Sequence, residues 1–209
     1  MEKLVEGNAA LVLDVMIGRL RFEQTGVKLY DTVIRKIERS GPSRYHPTLE
    51  ALRHIKSEEE EHVEWLTEQI SSLGADPDEV TDMAELETEE SSGIVNVIVD
   101  GHDKVIHLLH ALLAAELADN AGWDLLVKLA DERGDGKAKR AFAKRLAEEV
   151  EHLAYIRQAV VSAAEVEILG EDRKLPETVS SALVKPIAIG VGVVAVAVAG
   201  GFALRSMLS

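Results

Sequence analysis

The chain has 209 residues, a net charge of −14, 46% apolar but only 4% aromatic residues, and no cysteine. The missing cysteine excludes disulfides, thiolate metal sites and CxxC iron centres of the rubredoxin kind, and the acidic balance argues against nucleic acid, whose phosphates need basic patches. Abundant Ala, Leu, Glu, Lys and Val favour helix, and the length suits one domain with an appendage.

The N-terminal stretch MEKLVEGNAALVLDVMIGRLRF carries Glu2 and Glu6 and lacks a basic segment ahead of a clean apolar run, so it does not read as a signal peptide. Apolar spacing predicts a first helix over about 5–39, ending at SGPS. Its stripe is Leu13, Ile17, Leu20, Val27, Tyr30, Ile34 and Ile37, and Glu23 falls inside it. A second helix over about 47–73 carries Leu52, Ile55, Leu66, Ile70 and Leu73, with Glu59 and His62 in the seam between. Residues 75–92 are acidic and read as a turn-rich crossover.

A third helix is predicted over about 93–132, with Val105 or Ile106, then Leu109, Leu113, Trp123, Leu126 and Leu129 as its stripe and Glu116 within it. After ERGDGK, a fourth runs over about 137–167, with Phe142, Leu146, Ile156 and Val160 around Glu149 and His152. The short breaks after the first and third helices make antiparallel hairpins. An 18-residue crossover can span about 60 Å at ~3.3 Å per residue, enough to let the second and third helices run parallel. The expectation is an all-α four-helix bundle over 1–168, a linker over 169–181 and a C-terminal hydrophobic helix over 182–209. Within the last segment, PIAIGVGVVAVAVAGGFAL (186–204) has 19 residues and no charge. At ~1.5 Å per residue it is roughly 28 Å long, about a hydrocarbon core, and reads as a single-pass membrane anchor.

The chain repeats itself. EEEEHVEWL at 58–66 and EEVEHLAYI at 148–156 both place Glu at four, three and one residues before a histidine. Glu23 is followed at +7 and +8 by Tyr30-Asp31, and Glu116 by Trp123-Asp124. The sequence looks like a duplicated helical hairpin, each copy carrying Glu and then Glu-x-x-His. Residues i and i+3 share a helix face, so Glu59 with His62, and Glu149 with His152, point inward together with Glu23 and Glu116. Four buried carboxylates without partners would be very costly. Two divalent cations balance them, and a mixed imidazole and carboxylate set suits iron or manganese. Glu58, Glu60, Glu61, Glu64, Glu148 and Glu151 read as solvated, with Glu58 or Glu148 as the alternative register for the seam glutamates.

This pattern, Glu23…Glu59-x-x-His62…Glu116…Glu149-x-x-His152, resembles the ferritin-like superfamily, nearest in style to rubrerythrin and bacterioferritin bundles, over about residues 10–165. The resemblance implies two Fe ions (Mn as the alternative), with Glu59 and Glu149 as bridges, His62 and His152 as nitrogen ligands, and Glu23 and Glu116 as terminal carboxylates. It implies oxidation of Fe2+ by dioxygen or hydrogen peroxide, in iron homeostasis or oxidative-stress defence, and pairing as a homodimer. Two departures stand out. The sequence carries no rubredoxin-type cysteine motif, and a predicted membrane span stands where cage-forming ferritins carry a short helix or nothing. With no signal peptide, the bundle is expected on the cytoplasmic side of the membrane. The alternatives are an iron-binding and delivery module for a membrane partner, or a metal-free structural bundle.

Tyr30 and Tyr155, one or two turns from the ligands, are candidates for redox relay or hydrogen bonding, with core packing as the competing reading. Trp65 and Trp123 read as packing. His102, His107 and His110 read as solvated, with a secondary metal site or entry path as the alternative.

Overall fold

The computed structural model describes residues 1–41 and 46–170, and all regular elements among them are helical. They are α1 (Glu2–Val5), α2 (Ala9–Ser40), α3 (His46–Ser72), α4 (Asp82–Val95), a π-helical segment (Asn96–Gly101), α5 (Val105–Glu132) and α6 (Gly136–Leu169). The first expected helix is interrupted at Gly7, whose φ of 91° suits glycine. Asn8 then caps α2 by accepting a hydrogen bond from the Leu11 amide at 3.3 Å. Between α5 and α6, Gly134 takes a left-handed φ of 65°, and Asp135 caps α6 by accepting from the Ala138 amide at 2.9 Å.

The crossover is not a loop. Residues 82–95 form α4, and the expected third helix begins at Val105 rather than near 93. Local chemistry explains both differences. The Thr81 hydroxyl accepts from the Ala84 amide, and Asp82 and Glu85 place negative charge in the first turn, where the helix dipole favours it. Ala84 and Ser91 of α4 and Ile98 of the π-helical segment are buried, a sparse edge of mostly small residues that glutamates conceal in the sequence. The break at His102–Lys104 is held by Lys36, whose ammonium donates to the His102 carbonyl at 2.8 Å and pairs with Asp103 at 3.2 Å.

Side-chain pairs fix the directions. Arg53 of α3 pairs with Glu38 of α2, while Gly26 faces Glu59, so α3 runs against α2. Tyr30 reaches Glu116, Arg19 reaches Asp119 and Lys36 reaches Asp103, so α5 also runs against α2. Hence α3 and α5 are parallel, and the crossover returns along the bundle. It does so as α4, which lies on α2 with the Met83 amide donating to Asp14 at 2.9 Å. His62 with Glu148, and Glu58 with His152, set α6 against α3.

Two apolar layers form the core. One holds Leu29, Val33, Ile37, Leu52, Ile55, Leu109 and Ile156. The other holds Met16, Ile17, Leu20, Leu66, Ile70, Leu126 and Phe142. The buried polar residues Glu23, Glu59, His62, Glu116, Glu149 and His152 lie along the helices between these layers. Among the described residues no helix is long and apolar enough to cross a membrane, and the expected span at 186–204 lies outside them.

Candidate metal centre

Each of the long helices α2, α3, α5 and α6 contributes to the polar layer. The six residues singled out from the repeat, Glu23, Glu59, His62, Glu116, Glu149 and His152, are all at most 2% exposed. They form two overlapping groups. In the first, one ligand atom each from Glu23, Glu59, His62 and Glu149 lies within 4.8 Å of the others, and Glu59, Glu116, Glu149 and His152 form the second on the same criterion. Glu59 and Glu149 belong to both, as carboxylates placed to span two ions would.

The fit to a cation is tested by the atoms that lack partners. Glu23 Oε2, Glu116 Oε2, both oxygens of Glu59 and of Glu149, and Nδ1 of both histidines are buried without a hydrogen bond. Folded proteins leave few such atoms. Here they converge, and they are the donor atoms that hard and borderline divalent cations take. The residues present therefore fit a pair of metal ions.

The opposite side of each candidate histidine is held. His62 Nε2 lies 3.0 Å from Glu148 Oε2, and His152 Nε2 lies 2.8 Å from Glu58 Oε2. An ionised carboxylate can only accept, so each Nε2 carries a proton and each Nδ1 turns inward. His62 Nδ1 is then 3.0 Å from Glu149 Oε1 and 3.4 Å from Glu23 Oε2. His152 Nδ1 is 3.3 Å from Glu59 Oε1. Glu58 and Glu148, expected to be solvated, each sit one residue before a seam glutamate and hold the histidine of the other hairpin. Their side chains are 22% exposed. The only available signal was the EE doublet itself, because pairing across helices leaves no mark on the periodicity of either.

The aromatic residues of the repeat do the same across the bundle. The Trp123 indole donates to Glu23 Oε1 at 2.8 Å, and the Tyr30 hydroxyl donates to Glu116 Oε1. Trp123, expected only to pack, thus orients a seam carboxylate. Burial and the neighbouring Glu116 raise the Tyr30 pKa well above its usual value. The phenol therefore keeps its proton and acts as a donor. Tyr155 is fully buried beside Thr48, and burial raises its pKa too. Trp65 packs edge-on against Phe142, under the guanidinium of Arg145.

The electrostatics are those of a crowded carboxylate site. Burial, and then Glu149 and Glu23, raise Glu59 well above the usual range. Glu116 is raised to about 8, by burial first, although His152 pulls it back. Glu23 goes the other way, to about 2, because His62 and Arg19 outweigh its burial. Burial alone would lower His62, but Glu148, Glu149 and Glu23 raise it to about 11. His152 is raised well above its usual value by Glu149, Glu58 and Glu59 acting against burial.

Elsewhere, His102 and His107 face each other with Nδ1 atoms 3.2 Å apart, and with His110 they line an apolar cavity of about 420 Å³. His54 is exposed, and Met16 lies buried in one of the apolar layers. Compared with known proteins, the chain matches no family model, no curated protein and no solved structure.

Proposed function

We propose that the chain is a ferritin-like di-metal carboxylate protein that binds two Fe2+ ions and oxidises Fe2+ with dioxygen or hydrogen peroxide, tethered to a membrane through residues 186–204. The observation that carries this reading is the convergence of unpartnered, fully buried carboxylate and imidazole atoms on two overlapping positions. Without metal, oxygens of Glu23, Glu59 and Glu149 face the two imidazole Nδ1 atoms, 3.0–3.4 Å away, and burying so many ionisable groups together costs stability that a divalent cation would offset.

Glu59 and Glu149 would bridge the ions, Glu23 with His62 and Glu116 with His152 would complete one position each, and manganese fits the same donors. A di-iron pair supplies two one-electron oxidations in one place, and hence reduction of the oxidant by electron pairs. The chain's own residues supply the rest. Glu58 and Glu148 fix the tautomers of His152 and His62, so that Nδ1 is the ligand atom. Trp123 and Tyr30 occupy one oxygen each of Glu23 and Glu116, leaving the other oxygen for metal. The apolar layers on either side keep bulk water away from the centre.

Rapid mixing tests the activity. Anaerobic protein carrying Fe2+ is mixed with dioxygen or with peroxide, and Fe3+ formation is followed by absorbance. Oxidation faster than that of free Fe2+, and lost in Glu59→Ala, is expected. Stoichiometric binding with no such acceleration would sink the oxidase reading and favour an iron carrier for a membrane partner.

A further inference from the structure

The two halves of the centre correspond residue by residue. Glu23 matches Glu116, Glu59 matches Glu149, His62 matches His152, Glu58 matches Glu148 and Tyr30 matches Trp123. One feature breaks the correspondence. Four residues before Glu23 stands Arg19, where the other half has Leu112, and three residues after Glu116 stands Asp119, where the other half has Gly26. Both charged residues are 3% exposed.

Arg19 is locked against one end of the centre. Its Nε lies 3.2 Å from Glu23 Oε1, and its Nη2 lies 3.5 Å from Asp119 Oδ1. Its Nη1 donates to the Asp119 carbonyl at 3.4 Å, and its guanidinium stacks 4.3 Å from the centre of the Phe22 ring. Gly122 makes room for it, since a Cβ there would sit 1.9 Å from Nη1. A guanidinium stays charged at any physiological pH, so the positive charge is permanent.

We propose that the two positions are therefore unequal: the one completed by Glu116 and His152 binds its divalent ion first and firmly, and the one completed by Glu23 and His62 is a weak, exchanging position. The inference rests on the di-metal reading above. Glu23 Oε1 already receives the Trp123 indole and faces a full positive charge, whereas Glu116 Oε1 receives only a neutral phenol. A carboxylate compensated by a guanidinium has less charge to offer a metal, and the guanidinium itself repels a cation in the adjoining position. Asp119 shares this guanidinium, its Oδ1 lying 3.5 Å from Nη2, so the positive charge is divided between the two carboxylates. At limiting metal the chain would carry one ion. The pair needed for two-electron chemistry would form only when Fe2+ is plentiful, which makes the second position the substrate position.

The test is anaerobic titration of the full-length chain with Fe2+, repeated with Mn2+, by calorimetry. Two steps separated by at least ~10-fold in affinity are expected. His62→Ala should abolish the weaker step and keep the tighter one, and His152→Ala should remove the tighter one. Replacing both residues, Arg19→Met with Asp119→Leu, removes the guanidinium together with its second partner and should bring the two steps together. Two ions bound with equal affinity, a gap unchanged in the double variant, or loss of the tight step in His62→Ala would overturn the inference while leaving the di-metal reading intact. No binding of either metal would overturn both. If circular dichroism shows the double variant unfolded, the two histidine variants decide alone.

Discussion

Replacing Glu116 by glutamine should stabilise the metal-free protein at neutral pH, even though it removes a proposed ligand. Glu116 is buried, and its pKa is raised from the ordinary 4.5 to about 8. The folded chain thus holds a proton that the unfolded chain has already released. Stability attached to this group is lost as pH rises from about 4.5 towards 8. At ~1.36 kcal/mol per pH unit, the loss at pH 7 is about 3 kcal/mol. Glutamine never ionises, and its carbonyl still accepts from Tyr30, so it escapes this loss. For a domain of this size, about 3 kcal/mol corresponds to a rise in Tm of roughly 6–12 °C. The assay is thermal unfolding of chelator-treated protein by circular dichroism at pH 5 and pH 7. The rise should be large at pH 7 and small at pH 5. Added Fe2+ or Mn2+ should reverse the order, because bound metal stabilises the native state of the wild type more than that of the variant. Equal destabilisation by Glu116→Gln at both pH values would mean that burial does not hold a proton on Glu116 in the folded chain.

Metal must displace protons from His62, His152, Glu59 and Glu116, all of which are raised. Calorimetry in buffers of different ionisation enthalpy should show net proton release on metal binding at pH 7, with affinity falling as the pH is lowered; release near zero would contradict the site. Glu58→Gln and Glu148→Gln should each weaken metal binding by ~10–100-fold in competition with a chelating dye. An unchanged affinity would return both residues to the solvated surface. Gly122→Ala should cost about 1–3 kcal/mol in a denaturant melt by forcing Arg19 aside, and a neutral outcome would mean that Arg19 is not held there.

The six seam residues and the direction of the helices were legible because a charged residue inside an apolar stripe is visible in one helix at a time. Duplication amplified that signal, since two copies in register are improbable by chance. What escaped was whatever depends on two helices at once. Glu58 and Glu148 lie on the flank of their own stripes, and only the facing helix reveals that each holds a histidine. Trp123 looked like ordinary packing because an apolar stripe accepts it, and its indole hydrogen bond crosses to α2. Arg19 and Asp119 stand at helical spacing from Glu23 and Glu116, and Glu116-x-x-Asp119 even imitates the Glu-x-x-His spacing, but neither shows its partner in the sequence. Helix α4 was hidden by composition: its acidic run suits a helix whose one buried edge is only Ala84 and Ser91.

Counting metal per 209-residue chain, after anaerobic incubation with Fe2+ and removal of excess, decides whether the buried layer holds two ions. Two ions per chain, falling sharply in Glu59→Ala and in Glu149→Ala, is the predicted result. No retained iron, with manganese and zinc failing as well, would contradict it and leave the repeated EExEH stretch a structural feature.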